Sequence, residues 1–166
     1  EGDLLFFTDW QGDADERLTG EPGSEVVEVL GRADERGVDV RDLVWRSHLD
    51  QTGFFATENR HLGEQLQKRG AEVLLDMRVR TGGSHHQKVV IIDGQIAFMG
   101  SADLAQDRWD TSAHVARDPL RVSRREQAYK AYHEVQAVLA GAPARSLVDL
   151  FVTRWAYATG ERLDPE

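Results

Sequence analysis

The sequence predicts an α/β fold, a sandwich in which a mixed central β-sheet carries helices on both faces. Three features point there. Apolar runs and amphipathic stretches alternate through the first half of the chain in the order strand–helix–strand–helix–strand, the pattern of a partly parallel sheet. Two further apolar runs, Val89 to Ile92 and Ile96 to Met99, meet at Asp93-Gly94, an antiparallel hairpin signal that makes the sheet mixed. Leu147, Phe151 and Trp155 then recur at helical spacing near the C-terminus.

Taken in order, Leu4 to Thr8 reads as the first strand, followed by a polar loop, rich in Gly and Asp, that runs to Gly23. Ser24 is placed to cap a helix whose apolar face is Val26, Leu30 and Ala33, with Gly37 as its stop. VDVRDLVW, residues 38–45, alternates as a strand. Thr57 is expected to cap a second helix, with Leu62 and Leu66 inside and Gly70 at its end. AEVLLDM, residues 71–77, supplies the next strand, and the hairpin follows, contributing two central strands. RREQAYKAYHEVQAVLAG, residues 124–141, satisfies the helix and strand periods alike, and Pro143 suits the first position of the last helix. There is no internal repeat, low-complexity tract or clear linker.

Composition narrows the function. The chain has 166 residues, a length that suits one domain with a substantial core, and no apolar run long enough to cross a membrane. It has no cysteine, which excludes disulfides and thiolate metal sites and fits a reducing, cytoplasmic compartment. The formal net charge of -9 repels polyanions and weighs against a nucleic-acid partner. Basic residues are nearly all arginine; only Lys68, Lys88 and Lys130 are lysine. One of those three opens the apolar hairpin, where a compact ammonium on a flexible stem can follow a phosphoryl oxygen as a guanidinium fork cannot.

The chemistry gathers in TGGSHHQKVVIIDGQIAFMGSADL, residues 81–104. Side chains two apart on an extended segment share a side, so His86 and Lys88 project together. An imidazole beside an ammonium suits a phosphate: its nitrogen can attack phosphorus or move a proton, while the lysine holds charge on the non-bridging oxygens. No metal or cofactor is required. The antiparallel return brings Gly100 and Ser101 to the same end, where a small residue lets a ligand approach and a hydroxyl can donate to a phosphate oxygen. Asp93, five residues past Lys88 and roughly 16 Å away along a strand, cannot reach that phosphate and instead shapes the turn. His85 faces the other way, and packing, hydrogen bonding and substrate contact all stay open for it. Arg46, Ser47 and His48 read as surface loop, Trp10, Trp45 and Trp155 as core or loop anchors, and Trp109 as a candidate for the pocket mouth. The acidic run near Asp13 to Glu16 reads as a solvated loop.

HHQKVVIIDGQIAFMGSADL resembles the HKD motif, H-x-K-x-x-x-x-D, of the phospholipase D superfamily, with that family's trailing small pair at Gly100 and Ser101 and its Asn/Asp position at Asp103. DRWD (107–110), GVDVRDLVWRSH (37–48) and YHEVQAVLAGAPARSLVDLFVTRW (132–155) are similar to further family segments, so the likeness covers nearly the whole chain. It implies the phospholipase D/nuclease fold, a strand from about His133 to Leu139, and a phosphodiester hydrolase or transphosphatidylase acting on a phospholipid headgroup. His86 is then the nucleophile that forms a phosphohistidine, Lys88 the phosphate binder and Asp93 the motif aspartate; Gly100, Ser101 and Asp103 are substrate-side positions. An in-line displacement needs groups on both sides of phosphorus, and this chain carries one motif. The resemblance therefore implies a single catalytic half-domain over residues 1–166, the N-terminal half of a two-motif bacterial protein. Its expected partners are the phosphodiester substrate and a second HKD half, from the same full-length chain or from a second copy. Two alternatives stay open: a homodimeric single-motif endonuclease, and a non-catalytic half that only binds phosphate.

Overall fold

The expected α/β sandwich with a mixed sheet is the architecture found. The computed structural model describes residues 4–48, 53–123 and 126–165. Its strands are β1 (Leu4–Asp9), β2 (Asp39–Trp45), β3 (Glu72–Asp76), β4 (Lys88–Ile92), β5 (Ile96–Gly100) and β6 (Gln136–Ala140); its helices are α1 (Val26–Glu35), α2 (Gly53–Gln67) and α3 (Ala142–Thr159). They form one six-stranded sheet in the order β3-β2-β1-β4-β5-β6. β1, β2 and β3 are parallel, as strands linked by helical crossovers must be, and β4, β5 and β6 are antiparallel to their neighbours. The start of β4 and the end of β5 thus lie at the same edge as the carboxyl ends of β1 to β3, the edge where open α/β sheets form their sites.

Alternation along the strands builds two cores. Phe7, Val40, Val44 and Val73 face one side and pack against Val26, Leu30 and Ala33 of α1 and Leu62 and Leu66 of α2. Phe6, Leu43, Val89, Ile91 and Ala97 face the other and pack against Ala144, Val148, Phe151 and Trp155 of α3, with the Phe6 and Phe151 rings stacked at 4.6 Å. Complete burial of a residue such as Leu43, Ile91, Leu62 or Leu66 contributes about 1.5–3 kcal/mol each. α1 and α2 cover the β1–β3 end only. On that face Val90, Phe98 and Val138 stand in one cross-strand row, and the last two are 40% and 65% exposed.

Three local expectations need correction. Ser24 does not cap α1, because the helix begins at Val26, one residue later than a Ser24 cap requires; its hydroxyl donates to the Glu21 carbonyl instead. Thr57 lies inside α2, which starts at Gly53, four residues earlier. Strand pairing of the ambiguous segment starts at Gln136, and His133 to Val135 form the lead-in to β6. The Asp93-Gly94 turn forms, with both residues at positive φ (52° and 64°), the left-handed geometry that Asp and Gly tolerate best.

One core residue violates the apolar pattern. Asp42 sits between Val40 and Val44 on the α1/α2 face, fully buried, and neither carboxyl oxygen has a hydrogen-bond partner. Burial, then the nearby Asp9 carboxyl, pushes its pKa well above the ordinary carboxylate value.

Candidate active site

β4 sets the site. Its ladder to β5 begins at Lys88, which pairs with Gly100, and its ladder to β1 at Val89, so the three residues before Lys88 leave the sheet at the carboxyl end of β1. Lys88 shares the α1/α2 face with Val90, and its side chain is almost wholly buried. The Lys88 ammonium lies 3.1 Å from Nδ1 and 3.3 Å from Nε2 of the exposed His86 ring. The two side chains therefore share one side. A 3.0 Å ion pair to Asp103 balances the ammonium, which also stands over the Trp10 ring at 5.2 Å. Trp10 in turn packs against His86 (centroids 4.7 Å apart) and stacks on Trp45.

A polar ring surrounds this group. Arg108 donates through Nε and NH2 to Asp103 Oδ2 and through NH2 to the Gln11 side-chain oxygen. The Gln11 backbone N–H donates to Asp103 Oδ1. Asp9, at the end of β1, accepts the Trp10 N–H on one oxygen and the Leu104 N–H on the other. Burial, followed by the charge and hydrogen bond of Asp103, raises the Asp9 pKa well above the ordinary value. Thr8, Asp9, Lys88, Asp103, Phe98 and Gln136 are among the residues lining a cavity of about 140 Å³, which reaches the uncovered face of β4 and β5.

The predicted residues separate into two groups. His86, Lys88 and Asp103 come together. Gly100 and Ser101 reach the same edge, but β6 takes up both. A Cβ on Gly100 would collide with the Val135 carbonyl and the Gln136 side chain, so the glycine admits a neighbouring strand. The Ser101 hydroxyl accepts the Val135 N–H, and its own N–H donates to the Val135 carbonyl. Asp93 sits at the far end, where Leu4 and Asp93 exchange hydrogen bonds and fix β1 to the hairpin turn. His85 points away from Lys88, with Nε2 3.3 Å from the Asp76 carboxylate. Burial lowers its pKa and Arg154 lowers it further, against the pull of Asp76. Burial opposes ionisation of Asp76, yet Arg154, the Arg78 N–H and His85 hold its carboxyl below the usual range.

Sequence reading missed Asp9, Trp10, Gln11 and Arg108. The available signal was their position: Asp9 to Gln11 directly follow a buried parallel strand, and Arg108 lies within DRWD. Trp109 is 42% exposed and lines a larger cavity of about 690 Å³ with Asp15, Glu16, Asp107 and Tyr129, which His86 and Lys88 do not line. The acidic run beside it is more than a solvated loop, since burial, then Asp13 and Asp107, pushes the Glu16 pKa up to about 7. Among the described residues no three His, Asp or Glu side chains gather as a metal cage, and no helix is long and apolar enough to cross a membrane.

Residues 17–117, which hold α1 to β5 with His86, Lys88, Asp103 and Arg108, match the family model described as cardiolipin synthase, PLD-like domain. The chain belongs to the phospholipase D superfamily. It is similar to phospholipase D C of Dictyostelium discoideum, 25% identical over 161 residues, covering 82% of this chain and 10% of that protein. It is also similar to phospholipase D zeta 1 of Arabidopsis thaliana, 31% identical over 101 residues, covering 45% of this chain and 9% of that one. The chain thus spans about a tenth of the length of these relatives. In fold it resembles Nuc from Salmonella typhimurium, a phospholipase D family member, with a TM-score of 0.57, 18% identity, and coverage of 93% of this chain and 78% of that one. NucT from Helicobacter pylori gives a TM-score of 0.52, 13% identity, and 93% and 79% coverage.

Proposed function

We propose that this chain is one motif-bearing half of a phospholipase D-type enzyme, cleaving or transferring a phospholipid headgroup through a phosphohistidine. The observation that carries the reading is the buried Lys88 ammonium within 3.3 Å of both nitrogens of an exposed imidazole, with Asp103 behind it. The ammonium meets the non-bridging oxygens of an incoming diester, which take over part of its pairing with Asp103. An imidazole nitrogen of His86 attacks phosphorus, the P–N bond forms as the P–O bond to the headgroup breaks, and the departing alkoxide takes a proton. Water or another alcohol then attacks the phosphohistidine and returns the imidazole. Asp93, at the far end of β4, acts through the hairpin and not on substrate.

The donor for the departing alcohol has to stand opposite His86 across phosphorus. No second HKD sequence occurs in the chain, so a second motif-bearing half supplies that donor. The uncovered row Val90–Phe98–Val138 beside the Lys88 cavity offers that half an apolar face next to the reacting atoms. The net charge of -9 favours a lipid headgroup over DNA as the source of the diester.

The test uses the full-length protein with phosphatidylcholine vesicles, and separately with duplex DNA. Phosphatidic acid release, with an acid-labile, base-stable phosphoenzyme that His86→Asn removes, supports the reading. DNA cleavage by a symmetric dimer without lipid turnover replaces it with the endonuclease alternative. Binding of inorganic phosphate with no turnover in either assay replaces it with the non-catalytic one.

A further inference from the structure

A second group of titratable side chains lies outside the His86–Lys88 group, where residues 110–114 meet the lead-in to β6. The Asp110 side chain is nearly buried. It accepts the Thr111 N–H on one oxygen and the Tyr132 N–H on the other, and Nδ1 of His114 donates to that second oxygen at 2.9 Å. Arg121 Nε lies 3.9 Å from the first oxygen. With the Nδ1 proton committed to Asp110, the Nε2 of His114 is the bare nitrogen. It faces Nδ1 of His133 at 3.4 Å, with the two exposed rings 5.1 Å apart between centroids and tilted by 48°.

That separation is long for an N–H···N hydrogen bond, whose donor and acceptor usually lie about 2.9–3.0 Å apart. It matches the edge of a tetrahedron, about 3.4 Å, whose centre is about 2.0–2.1 Å from each nitrogen, the length of a zinc–imidazole bond. The carboxylate behind His114 repeats the arrangement that fixes tautomer and ring direction in metal-binding histidines. His114 also holds a positive φ of 45°, a conformation that non-glycine residues adopt at a cost and keep where the surroundings demand it.

We propose that His114 Nε2 and His133 Nδ1 form a two-ligand site for a divalent transition ion of the zinc type, with Asp110 as the positioning carboxylate. Nitrogen donors select such an ion over calcium or magnesium, which take oxygen. His133 binds the ion through Nδ1 with its ring proton on Nε2, and water fills the ion's remaining positions. Its place in the fold gives it a consequence. Tyr132, next to His133, lies under the Arg108 guanidinium at 4.9 Å, and Arg108 grips Asp103. The ion therefore ties the loop after β5 to the lead-in of β6 and braces the arginine behind the Lys88–Asp103 pair.

The experiment takes full-length protein stripped of metal with a chelator and titrates it with Co²⁺, read by visible absorption, and with Zn²⁺, read by calorimetry. One ion per chain is expected, lost in both His114→Ala and His133→Ala. Asp110→Asn should weaken it by about tenfold and shift the His114 ring ¹⁵N signals as the fixed tautomer is released. Histidine ¹H–¹⁵N spectra of the unsubstituted protein decide the matter even where a variant fails to fold, because Co²⁺ should broaden His114 and His133 before any other ring. No binding by the unsubstituted protein, equal binding by both histidine variants, or first broadening at His48, His61, His85 or His86 overturns the proposal.

Discussion

Replacing Asp42 with valine should make the protein more stable, and increasingly so as pH rises. The carboxyl is fully buried in the α1/α2 core with neither oxygen hydrogen-bonded, and burying such a group uncompensated costs about 1–3 kcal/mol. Valine fits a strand between Val40 and Val44 and adds apolar contact there. At pH 4, near the ordinary Asp value, the variant should therefore lead by about 2 kcal/mol, or about 4–8 °C in Tm for a chain of this size. The pH dependence has a definite sign. Asp42 is neutral in the fold to well above its ordinary pKa, so the unfolded chain loses this proton first and the native state pays as pH rises. Below the unfolded pKa the penalty is absent; between the two pKa values it grows by about 1.4 kcal/mol per pH unit. Asp9 titrates with the same sign in both proteins and its carboxyl acts on Asp42, so the difference between them reports Asp42 together with that coupling. Urea unfolding at pH 4.5, 5.5 and 6.5 measures it. A less stable variant, or a gap that stays constant over those two units, refutes the reasoning.

Other perturbations follow from the site. His86→Asn should abolish turnover in the complete enzyme while leaving the melting temperature within about 2 °C, since the ring is exposed and a surface change is worth about ±0.5 kcal/mol. Lys88→Arg should lose at least about 100-fold in kcat, because the buried slot between Asp103 and the Trp10 ring is built for a compact ammonium; steady-state kinetics with phosphatidylcholine checks both. Gly100→Ala should cost about 1–3 kcal/mol in urea unfolding, since its methyl group meets the β6 backbone at Val135. Asp9→Asn should cost about 1–3 kcal/mol as well, because the amide cannot accept from both Trp10 and Leu104 and still donate to Asp103.

Where one physical signal dominated, the fold was readable residue by residue. Val26, Leu30, Ala33, Leu62 and Leu66 recur at helical spacing and are all buried, and Asp93-Gly94 supplies the positive φ that a tight hairpin needs. Caps were harder, because a hydroxyl near a helix start can bond to the preceding loop as readily as to the helix, as Ser24 does. Lys88, Gly100 and Ser101 could be placed at one edge from hairpin register alone. What fills the space at that edge could not, because β6 arrives from 36 residues later and its approach decides that Gly100 faces a strand. Asp9 and Arg108 escaped for the same reason, being separated by 99 positions in sequence and joined only through Asp103.

The electrostatics of the site turn on where one proton sits. Lys88, Arg108, Asp103 and Asp9 are packed against one another, and with both carboxylates ionised the two acids would cancel the two cations. A diester bears a negative charge and would then meet no net attraction at the end of the buried lysine. The upward shift of the Asp9 pKa favours the form in which one of those negative charges is absent. In that form Asp9 can still accept the Trp10 and Leu104 N–H groups on its two oxygens. It therefore holds the loop after β5 in place without neutralising the lysine. The exposed Asp107, which pairs with Arg108 at 2.9 Å, is screened by solvent and counts for less than the buried groups. Within the proposed chemistry, an uncharged acid at the end of β1 spares the Lys88 charge for an incoming anion, where an ionised one would cancel it.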